Sequence, residues 1–238
     1  MSIPRLLIVQ TGSAAREVVE RHGDYPDWFQ QALGAELPVL KAHAGEKLLD
    51  LPQGTKGILV TGSPLSLTAP EPWMDELGDR LHRLGKAGIP VLGVCFGHQL
   101  LGRAGGAQVV PNPRGREIGT VRVQLTPEGK RDPLFSWADS GEIQVQATHV
   151  DSVDAAPRGA TLLASNERCA TQAFRYSDAV ASVQFHPELH PDALRDLIAS
   201  RGEAIRREGG DPDQLSAAVR ETGSAAILRA FAEQARKS

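Results

Sequence analysis

The stretch VLGVCFGHQLLG, residues 91–102, decides the fold. It opens with a short apolar run, Val91-Leu92-Gly93-Val94, continues through a cysteine, and ends in residues suited to open a helix. Glycines stand two positions before Cys95 (Gly93) and two after it (Gly97). This is the pattern of a nucleophile elbow, a strand-to-helix turn so tight that side chains are excluded from both flanks. Such a turn projects the thiol from the C-terminal edge of a sheet. The helix N-terminus behind it favours thiolate, which predicts a lowered pKa for Cys95. The competing reading is a buried structural cysteine at the start of a core helix. Residues farther along the chain decide between the two.

Upstream of the elbow the chain alternates strands with helices. Arg5–Gln10 is a continuous apolar run closed by Thr11-Gly12, as in a strand buried on both faces. Residues 13–34 read as helix in two pieces, broken around His22–Pro26, restarted at Asp27 and ended by Gly34. Strands follow at 38–42 and 56–60, the latter running into Thr61-Gly62-Ser63-Pro64. Residues 72–87 place Trp73, Leu77, Leu81 and Leu84 at helical spacing, with His82 read as a solvated surface residue. The alternation predicts an α/β three-layer sandwich with a mostly parallel central sheet and helices on both faces. Beyond the elbow the texture changes to shorter strands at 117–125, 142–147, 160–164, 170–176 and 179–185, a smaller antiparallel portion joined to the core. The expected organisation is one catalytic domain over residues 1–190 and a helical extension over 191–238, broken at 208–212, packed on the same domain.

Composition excludes several classes of function. The formal net charge of −3 leaves no basic patch for nucleic acid. No apolar run approaches the ~20 residues that span a bilayer, and the N-terminus lacks the h-region of a signal peptide. Two cysteines, Cys95 and Cys169, one of them in an elbow, fit a reducing compartment, so a soluble cytoplasmic protein is expected.

The partner for Cys95 is the segment Ala181-Ser182-Val183-Gln184-Phe185-His186-Pro187-Glu188. If it is extended, His186 and Glu188 point to one side. A carboxylate then accepts the imidazole Nδ1–H and leaves Nε2 facing the thiol, which makes a Cys-His-Glu triad. Attack on an amide also needs donors for the developing oxyanion. Phe96, the residue after the nucleophile, supplies one N–H, and the loop at Thr61–Pro64 is placed to supply another. That loop lacks the spacing of a phosphate-binding P-loop.

With these residues in place, G-V-C-F-G-H-Q at 93–99 and V-Q-F-H-P-E at 183–188, about ninety residues apart, resemble the class I (triad-type) glutamine amidotransferases. The resemblance covers roughly residues 5–190 and is strongest to free-standing proteins similar to the glutaminase domain of GMP synthase, supported by T-G-S-P at 61–64, E-I-G at 117–119 and T-H-V-D at 148–151. It implies a flavodoxin-like fold and hydrolysis of the L-glutamine side-chain amide through a γ-glutamyl thioester on Cys95. His186 would act as acid and base and Glu188 would orient it. The implied oxyanion donors are the N–H groups of Ser63 and Phe96. Gly62, Gln99, Thr148, Val150 and Asp151 fall on substrate-contacting positions.

The chain departs from the family at two of these places. Ser63 stands where many relatives carry a second glycine, so a positive φ there would be strained. Val150 replaces a glycine of the pocket loop. His98, three residues after Cys95, reads as a helix-start histidine bonded to nearby backbone rather than a tuner of the thiol. His149 is read as a pocket-loop residue and Cys169 as structural. His186 and His190 are four apart, but Pro187 and the lack of a third ligand argue against zinc. No metal or cofactor is implied.

The resemblance implies L-glutamine or another γ-glutamyl compound as substrate, with a separate synthetase as a candidate acceptor of ammonia. Two other readings stand beside it: a γ-glutamyl peptidase acting on peptides or conjugates, and a catalytically silent regulatory module. The complete Cys95, His186 and Glu188 set argues against the last.

Overall fold

The computed structural model describes residues 3–237. The chain runs β1 (Leu6–Gln10), α1 (Arg16–His22), α2 (Tyr25–Leu33), β2 (Val39–Lys41), β3 (Gly57–Val60), α3 (Pro72–Lys86), β4 (Val91–Val94) and α4 (Phe96–Ala104). It continues through β5 (Val109–Pro111), β6 (Glu117–Leu125), β7 (Glu142–His149), β8 (Asp151–Val153), β9 (Thr161–Ser165), β10 (Ala173–Arg175) and β11 (Val180–Val183). The helices α5 (Pro191–Ser200), α6 (Gly202–Arg207), α7 (Pro212–Ala218) and α8 (Ala226–Lys237) complete it.

Nine strands form one sheet in the order β2-β1-β3-β4-β11-β10-β9-β6-β7. The first five are mutually parallel, and the remaining pairings are antiparallel. A separate antiparallel pair joins β5 to β8. The α/β fold expected from the alternation is therefore present, and the antiparallel portion continues the same sheet. Every residue of β1, β3 and β4 is buried, because each parallel strand sends alternate side chains into two cores. Leu6, Ile8, Leu59, Leu92 and Val94 meet Phe29 and Leu33 of α2 and Ile227, Leu228 and Phe231 of α8. Leu7, Val9, Ile58, Val60 and Val91 meet Met74, Leu77 and Leu81 of α3 and Leu100 and Leu101 of α4. A third cluster seats Leu194, Leu197 and Ile198 of α5 against Val18, Tyr25 and Trp28.

Element boundaries follow local chemistry. Helix α2 starts at Tyr25 rather than at Asp27 because Asp24 caps it in a capping box with Asp27. Pro26 thus lies in the first turn, where its missing N–H costs nothing. Gly34 ends the helix in the left-handed region, at φ 64°. The strands expected at 170–176 and 179–185 contract to β10 and β11, while β7 runs on to His149.

The elbow between β4 and α4 is where sequence and geometry meet most tightly. Cys95 sits at φ 52°, ψ −101°, the one non-glycine residue with positive φ among the described residues. A Cβ on Gly93 would lie 2.5 Å from the Gly97 carbonyl oxygen, and a Cβ on Gly97 would lie 2.6 Å from the Val60 carbonyl oxygen. Both neighbours are backbone and cannot step aside. The turn is pinned by Cys95 N–H to Val183 O (2.9 Å) and Gly97 N–H to Thr61 O (3.2 Å). Gly97→Ala is expected to cost about 2 kcal/mol or more through overpacking. Urea denaturation measures this, and an unchanged midpoint would show that α4 can move away from β3.

Candidate active site

The C-terminal ends of β1, β3, β4 and β11 converge on Cys95. Thr11 and Thr61 knit the first two together: Thr11 N–H donates to Thr61 Oγ1 (3.0 Å), and Thr11 Oγ1 donates to the Gly62 carbonyl (3.1 Å). This presses Gly62 against the site. A Cβ there would lie 2.7 Å from His186 Cε1, 3.3 Å from Tyr25 Cε1 and 3.6 Å from Cys95 Cβ. Gly62 is therefore small because three side chains meet over it.

His186 and Glu188 come together, but by a different route from the one expected. Strand β11 ends at Val183, and 187–188 form a turn, so the pair is joined by local curvature and not by strand alternation. His186 Nδ1 lies 2.6 Å from Glu188 Oε1, and the two residues are 1% and 5% exposed. The His186 backbone is held by its N–H to Gln146 O (2.8 Å). Burial disfavours the imidazolium, yet the charges of Glu188 and Cys95 outweigh it and raise the His186 pKa above that of an ordinary histidine. With Nδ1 committed to Glu188, Nε2 is left without a hydrogen bond to protein among the described residues. The ring of Tyr25 stacks on His186, centroids 6.3 Å apart and planes 21° apart.

Around this centre the structure sorts the remaining residues. Ser63 is not among the described residues with positive φ, so the strain expected at that position is absent. Its hydroxyl donates to Thr11 O (2.9 Å) and accepts from Leu65 N–H (3.1 Å), shaping the loop after β3. Phe96 begins α4, where its N–H has no intrahelical acceptor. Gln99 is buried, and its amide donates to Asp151 O (3.0 Å) and Gln184 Oε1 (3.2 Å), so it braces the loop between β7 and β8. Asp151 reaches the other loop, accepting from Ser66 Oγ at 2.5 Å. Val150, between those strands, is 43% exposed, and Leu65, beside Ser66, is 39% exposed.

His149 is a buried brace. Its Nε2 lies 2.9 Å from Glu117 Oε2, and its Nδ1 lies 2.9 Å from Asp151 O. Asn166 and Gln172 also donate to Glu117. Burial opposes the Glu117 charge, but His149 and the two amides hold its pKa below the usual carboxylate value.

His98 bonds the Ser182 hydroxyl (2.9 Å), also meets the backbone of Thr171, and packs on Phe174. His82, expected to be a solvated surface residue, is half-buried with its ring edge-on to Tyr176 at 4.7 Å. Cys169 is buried, its thiol pushed up to about 12 by burial. No motif in the sequence marks Tyr25 or Arg201. Tyr25 opens α2, two residues ahead of the start expected at Asp27. Arg201 lies at the α5–α6 junction, where no local pattern marks it.

The family described as glutamine amidotransferase class-I matches residues 30–201. A glutamine amidotransferase-like protein of Schizosaccharomyces pombe is 28% identical over 81% of this chain and 82% of its own length. Gamma-glutamyl peptidase 2 of Arabidopsis thaliana is 26% identical over 82% of this chain and 80% of its own. The GMP synthase of Syntrophomonas wolfei is 37% identical over 60% of this chain but only 26% of its own. A glutamine amidotransferase structure from Thermotoga maritima superposes with a TM-score of 0.77 over the whole of both chains at 23% identity, a likeness of fold.

His98 is expected to make the fold acid-sensitive. Burial holds its pKa down to about 3, whereas an unfolded histidine titrates near 6.5. Its contribution to stability is thus complete above about 6.5 and is lost as pH falls toward 3, by up to about 1.4 kcal/mol per pH unit. Urea midpoints between pH 6.5 and 4 should fall more steeply for the wild type than for His98→Gln; equal slopes would contradict the assignment.

Proposed function

The chain belongs to the class-I glutamine amidotransferase family, and from that premise we propose that it hydrolyses the side-chain amide of L-glutamine through a Cys95 thioester, releasing ammonia. The observation that carries this reading is the buried 2.6 Å contact of His186 Nδ1 with Glu188, beside a cysteine held at positive φ on a strand-to-helix elbow. Glu188 fixes the tautomer and stabilises the imidazolium that forms when His186 takes the thiol proton. The thiolate attacks the amide carbon, and the oxyanion is received by the N–H groups of Ser63 and Phe96. As the C–N bond breaks, His186 returns the proton to the departing ammonia, leaving the γ-glutamyl thioester. His186 then takes a proton from water, whose oxygen attacks the thioester, and glutamate leaves as the thiol is restored.

In this reading Gly62, Gln99, Thr148, Val150 and Asp151 shape the pocket. Gln99 and Asp151 act by bracing its loops, and Val150 lies at its rim. Ammonia would pass to an acceptor, a separate synthetase among the candidates. A second reading, cleavage of γ-glutamyl peptides or conjugates, uses the same steps with a larger leaving amine. It is supported by alignment over most of the length of γ-glutamyl peptidase 2, against about a quarter of the GMP synthase.

Ammonia release from L-glutamine and amine release from a γ-glutamyl dipeptide, measured side by side, test both. Cys95→Ala is expected to abolish turnover, and Glu188→Gln to lower kcat by roughly 10²- to 10⁴-fold. Dipeptide turnover without glutamine turnover would replace the first reading with the second. Wild-type turnover that survives in Cys95→Ala would overturn both.

A further inference from the structure

Arg201 is a cation placed beside the reacting centre without an acid to match it. Its guanidinium Nη1 donates to the hydroxyl of Thr148, near the end of β7, and its backbone N–H bonds Leu197 O and Ile198 O (both 3.2 Å). Leu197 and Ile198 are packed in the cluster that holds Tyr25, so the stem of the side chain starts from rigid ground. No carboxylate of the described residues lies within ion-pair distance of it. Arg116, by contrast, is closed in a two-pronged pair with Glu208 at 2.9 Å and 2.9 Å. The groups that face Arg201 electrostatically are the Tyr25 phenol and the Cys95 thiol, with Arg116 repelling it, and burial lowers its pKa. The phenol is held neutral by burial, which raises its pKa despite Arg201.

Arg201 is half-buried, and a guanidinium drawn partly out of water is costly unless an anion meets it. Its planar fork matches a carboxylate with two parallel hydrogen bonds better than it matches a hydroxyl. The substrates considered above all carry a γ-acyl group that must lie on Cys95, and all share an α-carboxylate at the other end. We propose that Arg201, supported by the Thr148 hydroxyl, is the subsite for that α-carboxylate. The inference rests on the γ-glutamyl reading and names what selects a γ-glutamyl group over a plain aliphatic amide. Arg201 would serve glutamine and γ-glutamyl peptides alike, because only the leaving amine differs between them.

The test uses two alkylating reagents on the full chain: the chloromethyl ketone analogue of L-glutamine, with its side-chain amide replaced, and the α-methyl ester of that reagent. Intact mass reports the rate at which each modifies Cys95. Both meet the same thiol, so altered thiol reactivity or partial loss of fold moves both rates and cancels in their ratio. In the wild type the free acid should react about tenfold faster or more, the worth of one charged hydrogen-bonded contact. Arg201→Gln should bring the ratio to near one. Arg201→Lys and Thr148→Val should keep a reduced preference and carry the test if the glutamine variant does not fold.

A wild type that does not prefer the acid overturns the proposal, as does a ratio that survives every Arg201 substitution. The latter would mean that Arg201 only balances the charge of the reacting centre. Failure of the hydrolytic reading shows separately, as no release of ammonia or amine while the ratio behaves as expected.

Discussion

The contact on which this structure depends is the approach of backbone to backbone under Cys95. The Gly97 position leaves 2.6 Å between a would-be Cβ and the carbonyl of Val60, and Gly93 leaves 2.5 Å to the carbonyl of Gly97. Only hydrogen fits at either place, so β4, α4 and β3 can lie closer than side chains permit. That closeness forces Cys95 to φ 52°. Strain of this kind persists when the surroundings over-determine it, and here hydrogen bonds from Cys95 to β11 and from Gly97 to the end of β3 do so.

From this constraint the placement of the charged groups follows. Strand β11 lies beside β4 in parallel register, with Val183 opposite Val94, so the turn after β11 opens next to the elbow. His186 and Glu188 are thereby buried beside the thiol, with Tyr25 covering the ring. A second buried contact, Glu117 with His149, lies under the loop that joins β7 to β8. Through the carbonyl of Asp151 it meets Gln99 of the elbow helix. The loops flanking the site thus rest on buried polar networks, which resist small displacements because each broken bond would strand a desolvated partner.

Much of this was legible in the linear chain. The glycine spacing around Cys95 marks the elbow, since no other residue type survives that approach. Apolar runs of four or five residues mark the doubly buried strands, because a parallel sheet covered on both faces has no solvent side to alternate toward. Misplacements fell where local cues compete. Pro26 looks like a breaker and is a first-turn residue, because the Asp24 cap lies just before it. The strain expected at Ser63 does not occur because its backbone keeps a negative φ.

The sequence by itself determined the α/β class and the elbow, which follow from short-range spacing, where steric exclusion and chain geometry leave few options. It marked His186 and Glu188 as partners, but the turn after β11, not strand alternation, brings them together. Tertiary structure alone decided which distant groups share the site. Tyr25 comes to His186 across the chain, Arg201 reaches Thr148 from the α5–α6 junction, and Ser66 bridges to Asp151. These contacts link residues tens to more than a hundred positions apart, and no periodicity encodes them. They arise from how three packed layers bring strand ends and loops to one edge, which only the folded sheet specifies.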